Sequence, residues 1–237
     1  FKKRLRCFFF LWLSVFLLSS AQARKTTKNE ALQINYRVQF QTLLTEMKKS
    51  EREIIDLECL FLKQITKNNN EFPLSQIFYR YKKNPDTVFI QYLNRYEGRK
   101  LLYVSGQNDN KIVVRPEGFF SFTTIKVDPF SEKAMAEDLE PITKLNFHAI
   151  IDEMEKIYIQ RLGNSTVEFK ENDTEDGRPV YRLIIQEKQS SNYFNFAIDK
   201  QKVLPYKLYY KIDNNTSYLA FKNLRLNLGL GEDDFDI

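Results

Sequence analysis

His148 is the one histidine in 237 residues. Every Ser-His or Cys-His nucleophile, and every imidazole metal site, must therefore use it. It follows Phe147 in a stretch with helical apolar spacing, where a structural or surface histidine is expected. The carboxylates offer more, with 31 Asp and Glu in the chain. A hydrolase working with two of them needs a pair about 5–9.5 Å apart in an open cleft. The densest group is Glu232, Asp233, Asp234 and Asp236. Its spacing matches no calcium loop, so it reads as a solvated acidic tail rather than a cation site. Neither a G-x-S-x-G elbow nor an H-E-x-x-H pair nor a phosphate-cradling glycine loop occurs, and Gly229-x-Gly231 is two glycines in a turn. Asn108-Asp109 is polar and central, but a hairpin turn needs the same residue types. The sequence thus assigns no catalytic residue, no metal ligand and no cofactor.

The N-terminus bears on compartment. Lys2, Lys3, Arg4 and Arg6 precede an apolar run from Phe8 to Leu18, and Ala21-Gln22-Ala23 supplies small residues where a signal peptidase cuts. Residues 1–23 read as a signal peptide and 24–237 as a single exported domain. The apolar run falls short of the roughly 20 residues of a membrane span. Four of 36 Lys and Arg lie in that segment, leaving 32 against 31 acids, so the overall charge of +5 drops to about neutral. A nucleic-acid footprint is not supported. Of two cysteines, Cys7 and Cys59, only Cys59 remains. It forms no intramolecular disulfide and is expected buried and inert. Asn164, Asn172 and Asn214-Asn215 begin N-x-S/T matches, which in a bacterial chain are chance occurrences in turns.

Most of the chain must then be scaffold. From Ala31 to Met47 the residues Leu32, Ile34, Val38, Leu43, Leu44 and Met47 predict an N-terminal helix of about 18 residues. Alternation predicts strands around Ile55–Phe61, Ile77–Tyr81 and Val88–Tyr92. The stretch 99–116 predicts a hairpin turning at Gly106–Asn110. Phe119 to Val127 adds a strand through Phe120, Phe122 and Ile125. The segment 129–145 predicts a short helix or ordered loop. A helix over 146–161 carries Phe147, Ile150, Ile151, Met154 and Ile157, closed by Gly163-Asn164 as a C-cap. Five further strands run from Val167 to Leu228. Roughly ten strands with few helices imply a large antiparallel sheet, which must curve so that the helices can cover its apolar side.

Several of these residues, taken in order, resemble a known family. Leu102 to Lys111, Val127-Asp128-Pro129 leading to Ala134-Met135-Ala136, Pro141-Ile142-Thr143, Ile198-Asp199, Leu204-Pro205 and Leu226 to Asp236 resemble the bacterial domain-of-unknown-function 1571 family. The resemblance covers about residues 40–237. It departs at Leu145-Asn146-Phe147, where a glycine is expected, and at Ser131-Glu132-Lys133, which replaces a glycine-rich turn. That family is similar in fold to the periplasmic lipoprotein carriers LolA and LolB. The resemblance implies an α+β fold: a single strongly curved antiparallel sheet, an incomplete barrel, with helices over its concave face. It carries over no catalytic residues.

On such a sheet Tyr79, Tyr81, Ile90, Tyr92, Leu183, Phe194, Phe196, Tyr206, Leu208 and Tyr210 are expected on one side. They would serve either as ordinary core or as the lining of an acyl-chain cavity, with tyrosine hydroxyls at its rim. The leading expectation is a non-enzymatic envelope protein that binds a lipid or acylated protein in the concavity, in the manner of a lipid or lipoprotein carrier. The alternatives are an envelope interaction module with a solid core and a hydrolase of envelope polymers. Expected partners are an acyl chain or an envelope protein, with contact at a membrane surface compatible with either.

Overall fold

The computed structural model describes residues 30–131, 134, 141–161 and 163–237. The expected signal peptide and its boundary at residue 23 lie outside these residues, as does much of the segment 129–145.

Twelve strands form one antiparallel sheet. They are β1 (Asp56–Lys67), β2 (Asn70–Glu71), β3 (Ser75–Lys82), β4 (Thr87–Tyr92), β5 (Lys100–Val104), β6 (Ile112–Arg115), β7 (Ile125–Val127), β8 (Ser165–Glu175), β9 (Arg178–Glu187), β10 (Tyr193–Asp199), β11 (Leu204–Ile212) and β12 (Asn215–Leu226). Their order is β7-β6-β5-β4-β3-β1-β12-β11-β10-β9-β8, with β2 paired to β1. Among the described residues no ladder joins β7 to β8, so the barrel is incomplete. Two helices accompany it among the same residues: α1 (30–52) and α2 (Phe147–Arg161).

Turn chemistry fixes much of the register. Gly106, Asn108, Asp109 and Asn110 all take positive φ between β5 and β6, and Gly106 N donates to Asn110 Oδ1 at 2.8 Å. Asp176 (φ 50°) and Gly177 (φ 75°) make the two-residue link from β8 to β9. Left-handed conformation at both central residues matches the twist of paired strands, and few residues other than Asp, Asn and Gly accept it there.

One sheet face carries the core. Leu57, Cys59 and Phe61 of β1 stand opposite Tyr81, Tyr79 and Ile77 of β3, which continue to Val88, Ile90 and Tyr92 of β4. Phe61 also faces Phe221 of β12, ring centroids 5.1 Å apart, and Phe221 packs on Phe147 of α2 at 4.8 Å. The Tyr79 hydroxyl donates to the Leu145 carbonyl at 2.8 Å and ties the sheet to the approach of α2. Cys59 is buried, and that burial pushes its thiol well above the ordinary range.

The helices differ in detail from their expected forms. Helix α1 is longer than 18 residues and buries Phe40, Leu43, Leu44 and Met47. Leu32, Ile34 and Val38 face outward instead, because the inward stripe passes through Gln33, Tyr36 and Phe40 at helical spacing. The amide of Gln33 clasps the backbone of β8, donating to Val167 O (2.8 Å) and accepting from Val167 N (3.1 Å). Phe40 packs on Tyr158 of α2 with centroids 4.6 Å apart. Asn146 caps α2, its Oδ1 accepting from Ala149 N at 2.8 Å. Gly163 does not adopt positive φ, so it is not the C-cap of the left-handed kind. The expected strand from Phe119 shrinks to β7, since Gly118 (φ 66°) opens a 3-10 turn over Gly118–Phe120.

The segment 227–237 crosses the opposite, convex face. Buried Asp56 accepts three backbone donors from it: Leu228 N (2.6 Å), Gly229 N (3.0 Å) and Leu230 N (3.0 Å). Asn227 accepts from Ile55 N and donates to Glu53 O. Leu230 and Phe235 then bury against Phe89, beside Phe78 and Leu102. Lys82 and Lys100 donate to the Leu230 and Asp236 carbonyls. The acidic group expected to be solvated is thus anchored at its phenylalanine, while Asp233 and Asp236 stay at the surface.

Ion pairs lie on the same face. Burial works against ionisation of Glu58, but hydrogen bonds from Arg225 and Arg80 outweigh it and hold the carboxyl below its usual range. A second cluster joins Asp173, Glu175 and Asp176 to Arg182, Lys207 and Lys222. A hydrogen bond from Lys207 does most to lower Asp176, to about 2. For Glu175 the hydrogen bonds from Lys207 and Arg182 overcome burial, which opposes them. Carboxyls depressed by folding stabilise the native state at neutral pH and lose that contribution as pH falls through their folded values. Burial raises Asp86, which has the opposite sign but is outnumbered. The melting temperature is therefore expected to be level above about pH 5 and to fall steadily from about pH 4.5 towards about 2. Thermal melts across that range check it; a flat profile would contradict the pairing.

Candidate functional site

Between α2 and the concave face lies a cavity of about 310 Å³. Its sheet wall consists of two cross-strand rows. One runs Phe196, Leu208, Leu219, Lys63 across β10, β11, β12 and β1. The other runs Tyr210, Ser217, Ile65. The helix wall is Ala149, Ile150, Met154 and Ile157, reached by way of Lys144 and Leu145. Asp152, Glu153 and Lys156 line it as well. Glu153 pairs with Lys156 at 3.2 Å, and Asp152 lies 3.4 Å from His148 Nε2 and 3.8 Å from Lys48. An apolar interior framed by a few charged groups is the usual make-up of a ligand pocket. At 310 Å³ the space sits at the small end of the usual range of about 300–1,000 Å³.

Phe196, Leu208 and Tyr210 of the expected set line this cavity. Tyr79, Tyr81, Ile90, Leu183 and Phe194 face the same side but are packed into solid core, with Tyr92 half-buried beside them. Tyr206 is a correction. The pairing of β10 with β11 slips between Ala197 (opposite Lys207) and Ile198 (opposite Pro205), so Tyr206 is the extra residue of a bulge. It turns to the convex face, packs with Val180 and Ala197, and its hydroxyl donates to Asp176 Oδ2 at 2.9 Å. Simple alternation from Leu208 could not show that flip. Lys63, Ile65, Ser217 and Leu219 were missed as lining. The alternation Leu57, Cys59, Phe61 continues to Lys63 and Ile65, a signal available in the sequence.

His148 is exposed, with Nδ1 3.9 Å from Glu51 Oε2. Tyr81 and Asp86 lie near one another, and burial raises both groups. Among the described residues no three of His, Cys, Asp and Glu come together as a metal-holding group. A larger, polar groove of about 620 Å³ lies around Arg178, Asp199, Lys202 and Arg225 and is crossed by the Arg178–Asp199 bridge at 3.1 Å.

A family model described as "Protein of unknown function (DUF1571)" matches residues 54–237. The chain belongs to that family. DUF1571 membership covers the whole sheet and α2, and leaves all of α1 outside the match. No curated protein matches the sequence. Among solved structures, a putative outer membrane lipoprotein-sorting protein domain from Vibrio parahaemolyticus is 11% identical, with a TM-score of 0.44, covering 82% of this chain and 95% of that one. A LolA superfamily protein from Nitrosomonas europaea is 11% identical (TM-score 0.38; 83% and 97% covered). An uncharacterized conserved protein from Thermus thermophilus is 7% identical (TM-score 0.48; 83% and 92%). The architecture of this DUF1571 chain is one unclosed antiparallel sheet with helices on the concave side.

Proposed function

We propose that this DUF1571 protein is a non-enzymatic protein of the bacterial envelope that binds an acyl chain, of a lipid or of an acylated protein, in the cavity beneath α2. The observation that carries the proposal is the cavity itself: Phe196, Leu208, Leu219, Ile65, Ile150, Met154 and Ile157 border an apolar space that is partly open to solvent. Apolar surface left facing solvent beside a helix is costly in a protein with no use for it, because it forgoes the burial that close packing would give. Binding would draw about 0.8 kcal/mol from each CH₂ removed from water, less the cost of admitting the chain past α2. Export through the segment 1–23 would place the protein where such ligands occur.

Native mass spectrometry of the protein from an expression host should show a co-purified lipid, and a fluorescent fatty acid should bind. Leu208→Trp puts an indole into the space while leaving the fold intact, and should abolish probe binding. An empty protein that ignores fatty-acid probes would remove the proposal. So would a Leu208→Trp protein that binds as the wild type does.

A further inference from the structure

The link from β6 to β7 carries the most exposed apolar side chains of the described chain. Phe119 is 83% and Phe122 73% exposed; past the link, Ile125 of β7 is 49% exposed and Phe130, beyond the far end of β7, 69%. The rings of Phe119 and Phe122 meet edge to face, centroids 5.9 Å apart. Two phenylalanines standing in water with their rings in contact mark a contact surface rather than scattered single exposures.

The link is held rather than loose. Arg99 grips Glu117 with two hydrogen bonds, Nε to Oε2 at 2.7 Å and Nη2 to Oε1 at 3.0 Å. Arg115 donates to the Ser121 carbonyl within the same turn. Gly118 supplies the positive φ that opens the 3-10 turn carrying Phe119. Little ordering entropy is left to lose when the tip engages something.

The charges around the tip are biased to one sign. Lys100 and Arg115 are cross-strand neighbours at this end of the sheet, and Lys126 stands exposed opposite Val113. Arg99 completes the collar, with Glu117 as its partner. Asp128 is turned back on its own loop, accepting from Phe130 N. Aromatic rings at a tip with cations behind them complement the two layers of an anionic bilayer, the acyl boundary and the phosphate plane.

We propose that the 116–126 tip docks the protein on an anionic phospholipid surface, with Phe119 and Phe122 entering the acyl boundary and Arg115 and Lys126 meeting the phosphates. This holds whatever the cavity beneath α2 contains. The test is cosedimentation with vesicles of phosphatidylethanolamine and phosphatidylglycerol, compared with phosphatidylcholine alone. The wild type should bind the anionic vesicles. The Phe119→Ser/Phe122→Ser double variant, made in a chain with the same N-terminus, should bind at least about tenfold more weakly, as expected for losing two buried rings. Lys126→Glu should weaken binding to anionic vesicles and leave phosphatidylcholine binding unchanged. Because these side chains are exposed, unchanged melting curves will verify that the variants fold. Failure of the wild type to bind, or equal binding by the double variant, overturns the proposal. Self-association that the double variant abolishes, without vesicle binding, also overturns it and assigns the tip to a second copy of the chain.

Discussion

Replacing Asp56 by Ala is expected to lower stability by about 3 kcal/mol, as three backbone donors of the 228–230 segment lose one shared acceptor. Removing one partner of a buried hydrogen bond costs more than the bond is worth, because the orphaned group remains desolvated. The loss should be local first. Released from Asp56, the segment no longer seats Leu230 and Phe235 against Phe89, and limited proteolysis should cut there before the sheet opens. Asp56→Asn keeps one carbonyl acceptor and should fall between wild type and Asp56→Ala. Urea midpoints and cleavage sites check the order; an Asp56→Ala protein within about 0.5 kcal/mol of wild type would mean that the clasp contributes nothing.

The second large effect compares two positions on one strand. Phe221 is buried between Phe61 and Phe147, so Phe221→Ala should cost about 3–5 kcal/mol in lost transfer energy and a new void. Leu219, two residues away on the same face, borders the existing cavity, so Leu219→Ala should cost only about 1 kcal/mol, since few contacts are there to lose. The ratio matters more than either value. Equal losses at both positions would mean that the space beside α2 is filled in solution, and would favour an interaction module with a solid core.

Much of this architecture is legible in the residues. The glycine and asparagine turns at 106–110 and 176–177 need positive φ, and they sit where hairpins form. Helix α2 is readable from Phe147, Ile150, Ile151, Met154 and Ile157, all of which it buries. The candidate site was harder to read for two physical reasons. Inward-facing aromatic residues look alike whether they close a core or border a space; Phe194 and Phe196 are two residues apart, yet only Phe196 reaches the cavity. The period of two also breaks at a bulge, and the slip at Ala197/Ile198 sent Tyr206 to the other face with no sign in its neighbours. The convex attachment of 227–237 was hidden because Asp56 and the backbone it binds lie 172 to 174 positions apart.

The unclosed sheet leaves two margins where a stranger's strand could add itself. At one, β7 offers only three residues, too few to template a lasting partnership. At the other, β8 is long, and it is guarded in two ways. Gln33 occupies both backbone groups of Val167, and the ladder irregularity between Lys170 and Asp173 bends the charged remainder away from straight pairing. A helix side chain thus does the work that closing the barrel would otherwise have done. The concave side can stay open without inviting the chain to polymerise.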